Sequence, residues 1–289
     1  MPTIRLVPRG KSDHVTETVK SFGVRLRWWR DRRGVSQLDL AGTAGTTQRH
    51  LSFLESGRAA PSREMIRRLA AALDLPLRQQ NELFLAAGYA PPWRESSLTA
   101  PELTRVNSAL DYMLTQQEPY PAFVVDRRWR LLRANAGAGR LVEFLTGLAP
   151  ADAGDGEPVN LAVALLSPDG LRPLIVNWQE VAVYFLRGVQ ADAIADATAE
   201  TADLLARLLS LPGVPALSDI VPFEEPASPV LSIHFRRGDS SLRLFTTIAT
   251  LGTPQDVTLQ EIRIESFFPA DDATARTFHD WAAVVGQPA

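Results

Sequence analysis

The run Thr46-Thr47-Gln48-Arg49, followed by Ser52 and then Arg58, gathers hydrogen-bonding side chains at the start of one short segment. A glutamine amide matches the donor and acceptor of adenine's major-groove edge. An arginine fork matches the two acceptors of guanine. Such groups read base edges when they stand on the first turn of a helix lying in a major groove. Gln37 opens the preceding segment, where a helix start and an amide side chain suit a backbone phosphate. The pattern points to double-stranded DNA. Phe53 is apolar among these residues, fit to touch a thymine methyl or to pack, and His50 faces solvent or a phosphate.

The groups that enzymes rely on are missing from the rest of the chain. Cysteine is absent, which excludes thiolate catalysis, disulfides and Cys-ligated metal. His14, His50, His234 and His279 have no metal-ligand spacing, and neither a nucleophile elbow nor a P-loop occurs. Gly137-Ala138-Gly139 follows a strand and opens a helix, as in a dinucleotide fingerprint. Val142, however, occupies the third glycine position and no parallel βαβ unit surrounds it. Asp152, Asp155 and Glu157 fall in an acidic loop without the full calcium-ligand series of an EF-hand. We expect a non-enzyme, with no catalytic residue, metal or cofactor.

The DNA-reading residues need a scaffold, and the first third of the chain supplies helices. A loose arm over 1–16 precedes a helix near 18–33, with Phe22, Leu26 and Trp29 at helical spacing and Gly34 as its stop. Ser36 caps a short helix in which Leu38, Leu40 and Ala41 are expected to face inward. Gly42-Thr43-Ala44-Gly45 is a tight turn, and Thr46 opens the next helix, held inward by Leu51 and Leu54. Two short helices crossing at small residues are a helix-turn-helix. Ser62 caps a fourth helix and a fifth ends at Gly88, so an all-α head spans 17–90. Pro91, Pro92 and Trp93 begin a linker over 91–100.

Charge separates head from body. Residues 1–94 hold 16 Lys+Arg against 8 Asp+Glu, and residues 95–289 hold 14 against 25. A basic head on an acidic body fits a nucleic-acid-binding module joined to a second domain. No apolar run approaches a membrane span and the first residues lack a secretory signal, so a cytoplasmic protein without membrane contact is expected.

That second domain, over 101–289, reads as α+β. A short helix capped by Thr99 leads into strands at 121–126 and 129–135, then a helix at 136–145. Helices are expected at 171–195 and 198–211, strands at 230–237, 241–250 and 257–268, and a closing helix at 273–285. Five antiparallel strands with helices on one face make one sheet. Asn135, Arg172, Asn177 and Trp178 are polar groups in apolar surroundings. Asn135 and Asn177 can cap or tie loops; alternatively, with Arg172 and Trp178, they hold the polar end of a ligand.

The segment 34–75 resembles the helix-turn-helix of phage lambda-type repressors, the XRE class. That resemblance places Gln37 on the sugar-phosphate backbone, Thr47, Gln48 and Arg49 toward DNA, and Glu55 in a structural role. The blocks AGYAPPWRESS, EPYPAFVVDRRWRLLRANAGAGRL, LLSPDGLRPLIVNWQEVA and GTPQDVTLQEIRIESFFPAD resemble the MmyB-like regulators. This second resemblance implies a PAS-like ligand-binding domain with a five-stranded antiparallel sheet and a fatty-acid-like effector. A homodimer on an inverted-repeat operator is expected, because one head offers few base contacts. Filling the PAS-like cavity is expected to shift the 171–195 helix and the Pro91–Trp93 strap. The alternative is a second domain that serves only dimerisation.

Overall fold

The structure, a computed structural model, describes residues 11–148, 158–216 and 230–285. Asp152, Asp155 and Glu157 lie outside the described residues. The chain divides into two units, 1–95 with 255–257, and 96–254 with 258–289.

The first unit contains α1 (Lys11–Arg32), α2 (Gln37–Thr43), α3 (Gln48–Glu55), α4 (Arg63–Ala72) and α5 (Leu77–Ala86). The first helix starts at Lys11, inside the segment expected to be a loose arm. Residues 11–17 have no hydrophobic periodicity to reveal them, and a nucleated helix propagates at little cost. The core is the one the apolar spacing gives. Phe22, Leu26, Leu40, Leu51, Leu54, Ile66, Leu69, Leu83 and Phe84 are fully buried. Leu38 corrects the expectation: it is 64% exposed, because Leu40, Ala41 and Ala44 form the buried stripe and position 38 lies outside it. Gly23 brings α1 against the end of α3. A Cβ there would sit 2.5 Å from the carbonyl oxygens of Leu54 and Glu55.

The linker expected over 91–100 is partly docked. Asn81 on α5 donates to the Trp93 carbonyl at 2.8 Å and accepts its N–H at 3.1 Å, and the indole N–H donates to Gln80 Oε1 at 2.8 Å. The unit boundary falls between Glu95 and Ser96.

The second unit is built on β1 (Ala122–Val125), β2 (Leu131–Ala134), β3 (Ser232–Arg237), β4 (Ser240–Thr250) and β5 (Arg263–Pro269), in the order β2-β1-β5-β4-β3. Every pairing is antiparallel. Alternation sends Phe123, Val125, Ile233, Phe235, Leu242, Leu244 and Phe267 to one face, the inner one. There they pack under α7 (Ala136–Thr146), α8 (Leu161–Leu166), α9 (Trp178–Asp196), α10 (Ala199–Leu209) and α12 (Asp272–Val285). The other face is not bare as expected. Leu110 and Leu114 of α6 (Thr104–Gln116) cluster with Ala122, Val124, Ile262 and Ile264.

Four expected boundaries move. Pro101–Leu103 is a 3₁₀ turn that leads into α6, with no side-chain cap from Thr99. The long helix expected over 171–195 is broken. Arg172–Leu174 is a 3₁₀ turn, Ile175 bridges to Phe235, and α9 begins only at Trp178. The edge of β3 competes for this backbone: the Val176 N–H donates to the His234 carbonyl at 2.7 Å. The last strand starts at Arg263, and Val257–Glu261 forms α11. Thr47, rather than Thr46, caps α3.

A buried ion-pair network braces the β1–β2 turn. Arg127 bonds Glu261 at 2.9 Å and also pairs with Asp196, which accepts from Thr201 at 2.8 Å.

Candidate nucleic-acid interface and ligand-binding domain

The recognition helix starts with a cap. Thr47 Oγ1 accepts the His50 N–H at 3.1 Å and satisfies one of the unpaired amides of the first turn. Leu51 and Leu54 anchor one face of α3 in the core, so Thr47, Gln48 and Arg49 stand exposed at its start. Thr46 and Ser52 are half-buried beside them, and Arg58 is exposed just past the helix. Arg49 and Arg58 both lie over the Phe53 ring, at 5.4 and 6.0 Å. Phe53 thus gathers two cations next to the exposed turn, a packing role compatible with its half-buried state.

What holds α3 at a fixed angle lies on its other end. Glu55 accepts from Arg30 Nε at 2.6 Å and Nη2 at 3.2 Å, and from Gln37 Nε2 at 2.8 Å. Its side chain is 4% exposed and that of Arg30 11%. One carboxylate therefore joins α1, α2 and α3. The Glu55 hydrogen bond and charge hold the Arg30 guanidinium protonated, above its usual range. Gln37 is oriented by this tie at the start of α2. Arg30 was not singled out by sequence reading; its only signal was an arginine within the apolar row of Phe22, Leu26 and Trp29. The turn between α2 and α3 uses Gly45 at φ +64, and Arg68 donates to its carbonyl at 3.2 Å.

In the second unit the four ligand candidates separate. Asn135 caps α7. Its Oδ1 accepts from Ala138 and Ala122, both at 2.9 Å, and its amide donates to the carbonyls of Tyr120 at 2.8 Å and Leu114 at 3.2 Å. Asn177 clamps the edge of β3: it accepts the His234 N–H at 2.9 Å and donates to Ser232 O at 2.7 Å. Arg172 and Trp178 do come together, with the guanidinium 3.7 Å over the indole. They line an open hollow of about 490 Å³ with Pro168, Pro173, Pro212 and Gly213. Arg172 also donates to the Pro212 carbonyl.

Sequence reading missed two polar residues on the inner sheet face. Glu265 is 2% exposed and Thr246 4%. Thr246 stands on the adjoining strand beside Glu265, and its hydroxyl is the hydrogen-bonding group that meets the carboxyl. Burial pushes the Glu265 carboxyl up to about 7, against the opposing pull of Thr246 and Arg263. Tyr184 on α9 is raised by burial and by the Glu265 charge. The available signal was a carboxylate between Arg263 and Phe267 in one alternating row of β5.

Gly137 has a structural use. A Cβ there would lie 2.5 Å from the Pro119 carbonyl oxygen, and its N–H donates to Glu118 at 3.0 Å. Among the described residues no group of His, Cys, Asp or Glu is arranged to hold a metal ion, and no helix is long and apolar enough to cross a membrane.

A capped, exposed helix start on a five-helix head, joined to a separate sheet domain, is the build of a DNA-binding transcription regulator with a ligand-binding domain. The sequence model of the helix-turn-helix matches residues 26–80. The sequence model of the MmyB-like transcription regulator ligand binding domain matches residues 106–280, more than half of the chain. The chain belongs to the MmyB-like transcription regulators.

Solved structures resemble parts of it. The restriction-modification controller protein C.AhdI from Aeromonas hydrophila is 35% identical over 22% of this chain and 94% of its own, with a TM-score of 0.21. The clp gene regulator ClgR from C. glutamicum is 27% identical over 25% of this chain and 88% of its own, with a TM-score of 0.22. An RNA-binding light-oxygen-voltage receptor is 14% identical over 96% of this chain and 64% of its own, with a TM-score of 0.28. No curated protein matches the chain.

Proposed function

We propose that the chain binds a two-fold-symmetric operator as a homodimer, in the cytoplasm, and that a small amphipathic effector in the C-terminal domain controls this binding. The observation that carries the reading is the start of α3: an exposed Thr47-Gln48-Arg49 turn on a helix whose opposite face and far end are fixed. Gln48 and Arg49 read base edges, with Thr46, Ser52 and Arg58 beside them. Gln37 and the N-terminus of α2 meet a phosphate.

A single head of this size contacts few bases, so the usual nanomolar range of specific affinity needs two heads on one site. The second unit supplies the regulatory half. An effector acts only through different affinity for the DNA-competent and incompetent states. Fatty-acid-like chemistry supplies the long apolar body of such an effector. Support for an effector site lies in the open hollow of about 490 Å³ in which the Arg172 guanidinium lies over the Trp178 indole.

Selection of the full chain against a random duplex library tests the reading. Enrichment of an inverted repeat, bound by two chains, is the expected result. Enrichment of no motif, or of a site bound by one chain, would sink the operator model.

A further inference from the structure

The last turn of α3 folds the chain back over its own side chains. The helix stops in a left-handed turn at Gly57, with φ +70. The Gly57 N–H donates to the Leu54 carbonyl at 3.2 Å, and the Arg58 N–H donates to the Phe53 carbonyl at 2.8 Å. This is the Schellman pattern, in which the residue after the glycine returns over the last turn and usually makes an apolar contact there. Here that residue is Arg58, and its guanidinium lies 6.0 Å from the centre of the Phe53 ring. Arg49, one helical turn before Phe53, brings a second guanidinium to 5.4 Å from the same ring.

Both distances fall within the reach of a cation–π contact. Among the described residues neither guanidinium has a carboxylate partner, in contrast to Arg25, Arg30 and Arg78 of the same head. Two like charges gathered on one ring repel, and an anion supplied from outside relieves that repulsion. Phe53 is half-buried while Arg49 and Arg58 are exposed, so the ring is the fixed member of the trio. We propose that Phe53 is a positioning residue for DNA: it holds Arg49 and Arg58 as a pair, Arg49 for a guanine edge and Arg58 for a neighbouring phosphate. The proposal rests on the operator reading above and specifies what orients its arginines.

Stacking uses the face of a guanidinium and leaves its edge, with the N–H donors, for the DNA. An unsupported arginine loses rotamer freedom when it binds, whereas a stacked one has lost part of that freedom beforehand. Leucine at position 53 keeps an apolar side chain without a π face, and tyrosine keeps the face. The arginine pair therefore depends on the ring. The packing of α3 does not, since the fully buried Leu51 and Leu54 anchor it.

Fluorescence anisotropy of the full chain at low salt, on the operator that the wild type selects, provides the test. Phe53→Leu is expected to bind about tenfold more weakly, and Phe53→Tyr within about twofold of the wild type. In a chain that also carries Arg49→Ala and Arg58→Ala, Phe53→Leu is expected to cost nothing further, because the ring has nothing left to position. An equal loss in both backgrounds, or no rescue by Phe53→Tyr, makes Phe53 a packing residue and overturns the proposal. If Phe53→Leu does not fold, NMR of the wild-type chain decides. The ring should shift the side-chain protons of Arg49 and Arg58 upfield, with the signals assigned by their loss in Arg49→Ala and Arg58→Ala. Unshifted signals overturn the proposal. Selection that enriches no operator removes the operator reading and this proposal together. An operator bound with additive losses removes this proposal alone.

Discussion

Glu55 and Arg49 stand on one short helix and do opposite kinds of work. Glu55 is buried and bound on three sides by Arg30 and Gln37. Glu55→Ala leaves a guanidinium 11% exposed without its main partner, and a loss of about 3 kcal/mol in urea unfolding of the head is expected. Arg49 is exposed, so Arg49→Ala should leave the urea midpoint unchanged. Its expected cost is about 1–3 kcal/mol at the cognate operator, with relaxed preference at one base position. A uniform loss across all sequences, measured by fluorescence anisotropy, would assign Arg49 to phosphate alone. Glu265 makes a third prediction, through pH. Its carboxyl is raised from the usual 4.5 to about 7, so the folded state holds a proton that the unfolded state releases. Stability from this group is full below about pH 4.5 and is lost as pH rises through 7. The total is about 3 kcal/mol. Glu265→Gln should flatten this part of the stability profile and exceed the wild type in stability at pH 8.

Elements are fixed by close approaches that a helical or strand pattern does not encode. Gly23 lets α1 rest on the carbonyl end of α3, and Gly137 lets α7 start against Pro119 and Tyr120. Alanine at either position puts its Cβ within 2.5 Å of backbone oxygen, which no side-chain rotation relieves. Both variants should melt at lower temperature, with the Gly23→Ala effect confined to the head unit in a two-transition scan. The head helices were legible largely from their punctuation: Ser36 and Ser62 caps, with stops at Gly34, Gly57 and Gly88. The strands were legible from alternation at 232–237 and 240–250. The helical reading of 171–177 failed because the apolar run LRPLIVNW suits a helix as well as an edge pairing. Its pairing with β3 is a long-range contact, invisible to local periodicity. The strand reading of 257–261 failed for the same reason, since VTLQE lacks a decisive period. Residue type nominates Gln48 and Arg49, and the fold leaves both exposed on the first turn of α3. The burial of Glu265 was hidden, because its face is set only by the register of three strands.

At the scale of the molecule, charge is unevenly divided: an excess of arginine in residues 1–94 and of carboxylates in 95–289. The basic head should make operator binding steeply dependent on salt. With about six phosphates neutralised, affinity is expected to fall about a thousandfold between about 50 and 200 mM salt. A flat salt profile would mean that the head's arginines are spent on internal pairs, as Arg25 is with Glu82 and Arg78 with Glu95. The acidic unit keeps its own carboxylates busy in a different way. The Arg127, Asp196 and Glu261 network and the Arg263–Asp192 pair each place an arginine between elements distant in sequence.

The tie of Arg30, Gln37 and Glu55 also bears on how such a gene diverges after duplication. It fixes the pitch of α3 from its C-terminal end, while the exposed contacts lie on its first turn. If the proposed reading holds, substitutions at Gln48, Arg49 or Ser52 should therefore change which operator is read without passing through an unfolded intermediate sequence. A paralogue can acquire a new regulon by drifting at a handful of positions, with the framework beneath them held constant. Repertoires of related regulators in one genome should accordingly differ most on that one helical turn and least at the carboxylate that anchors it.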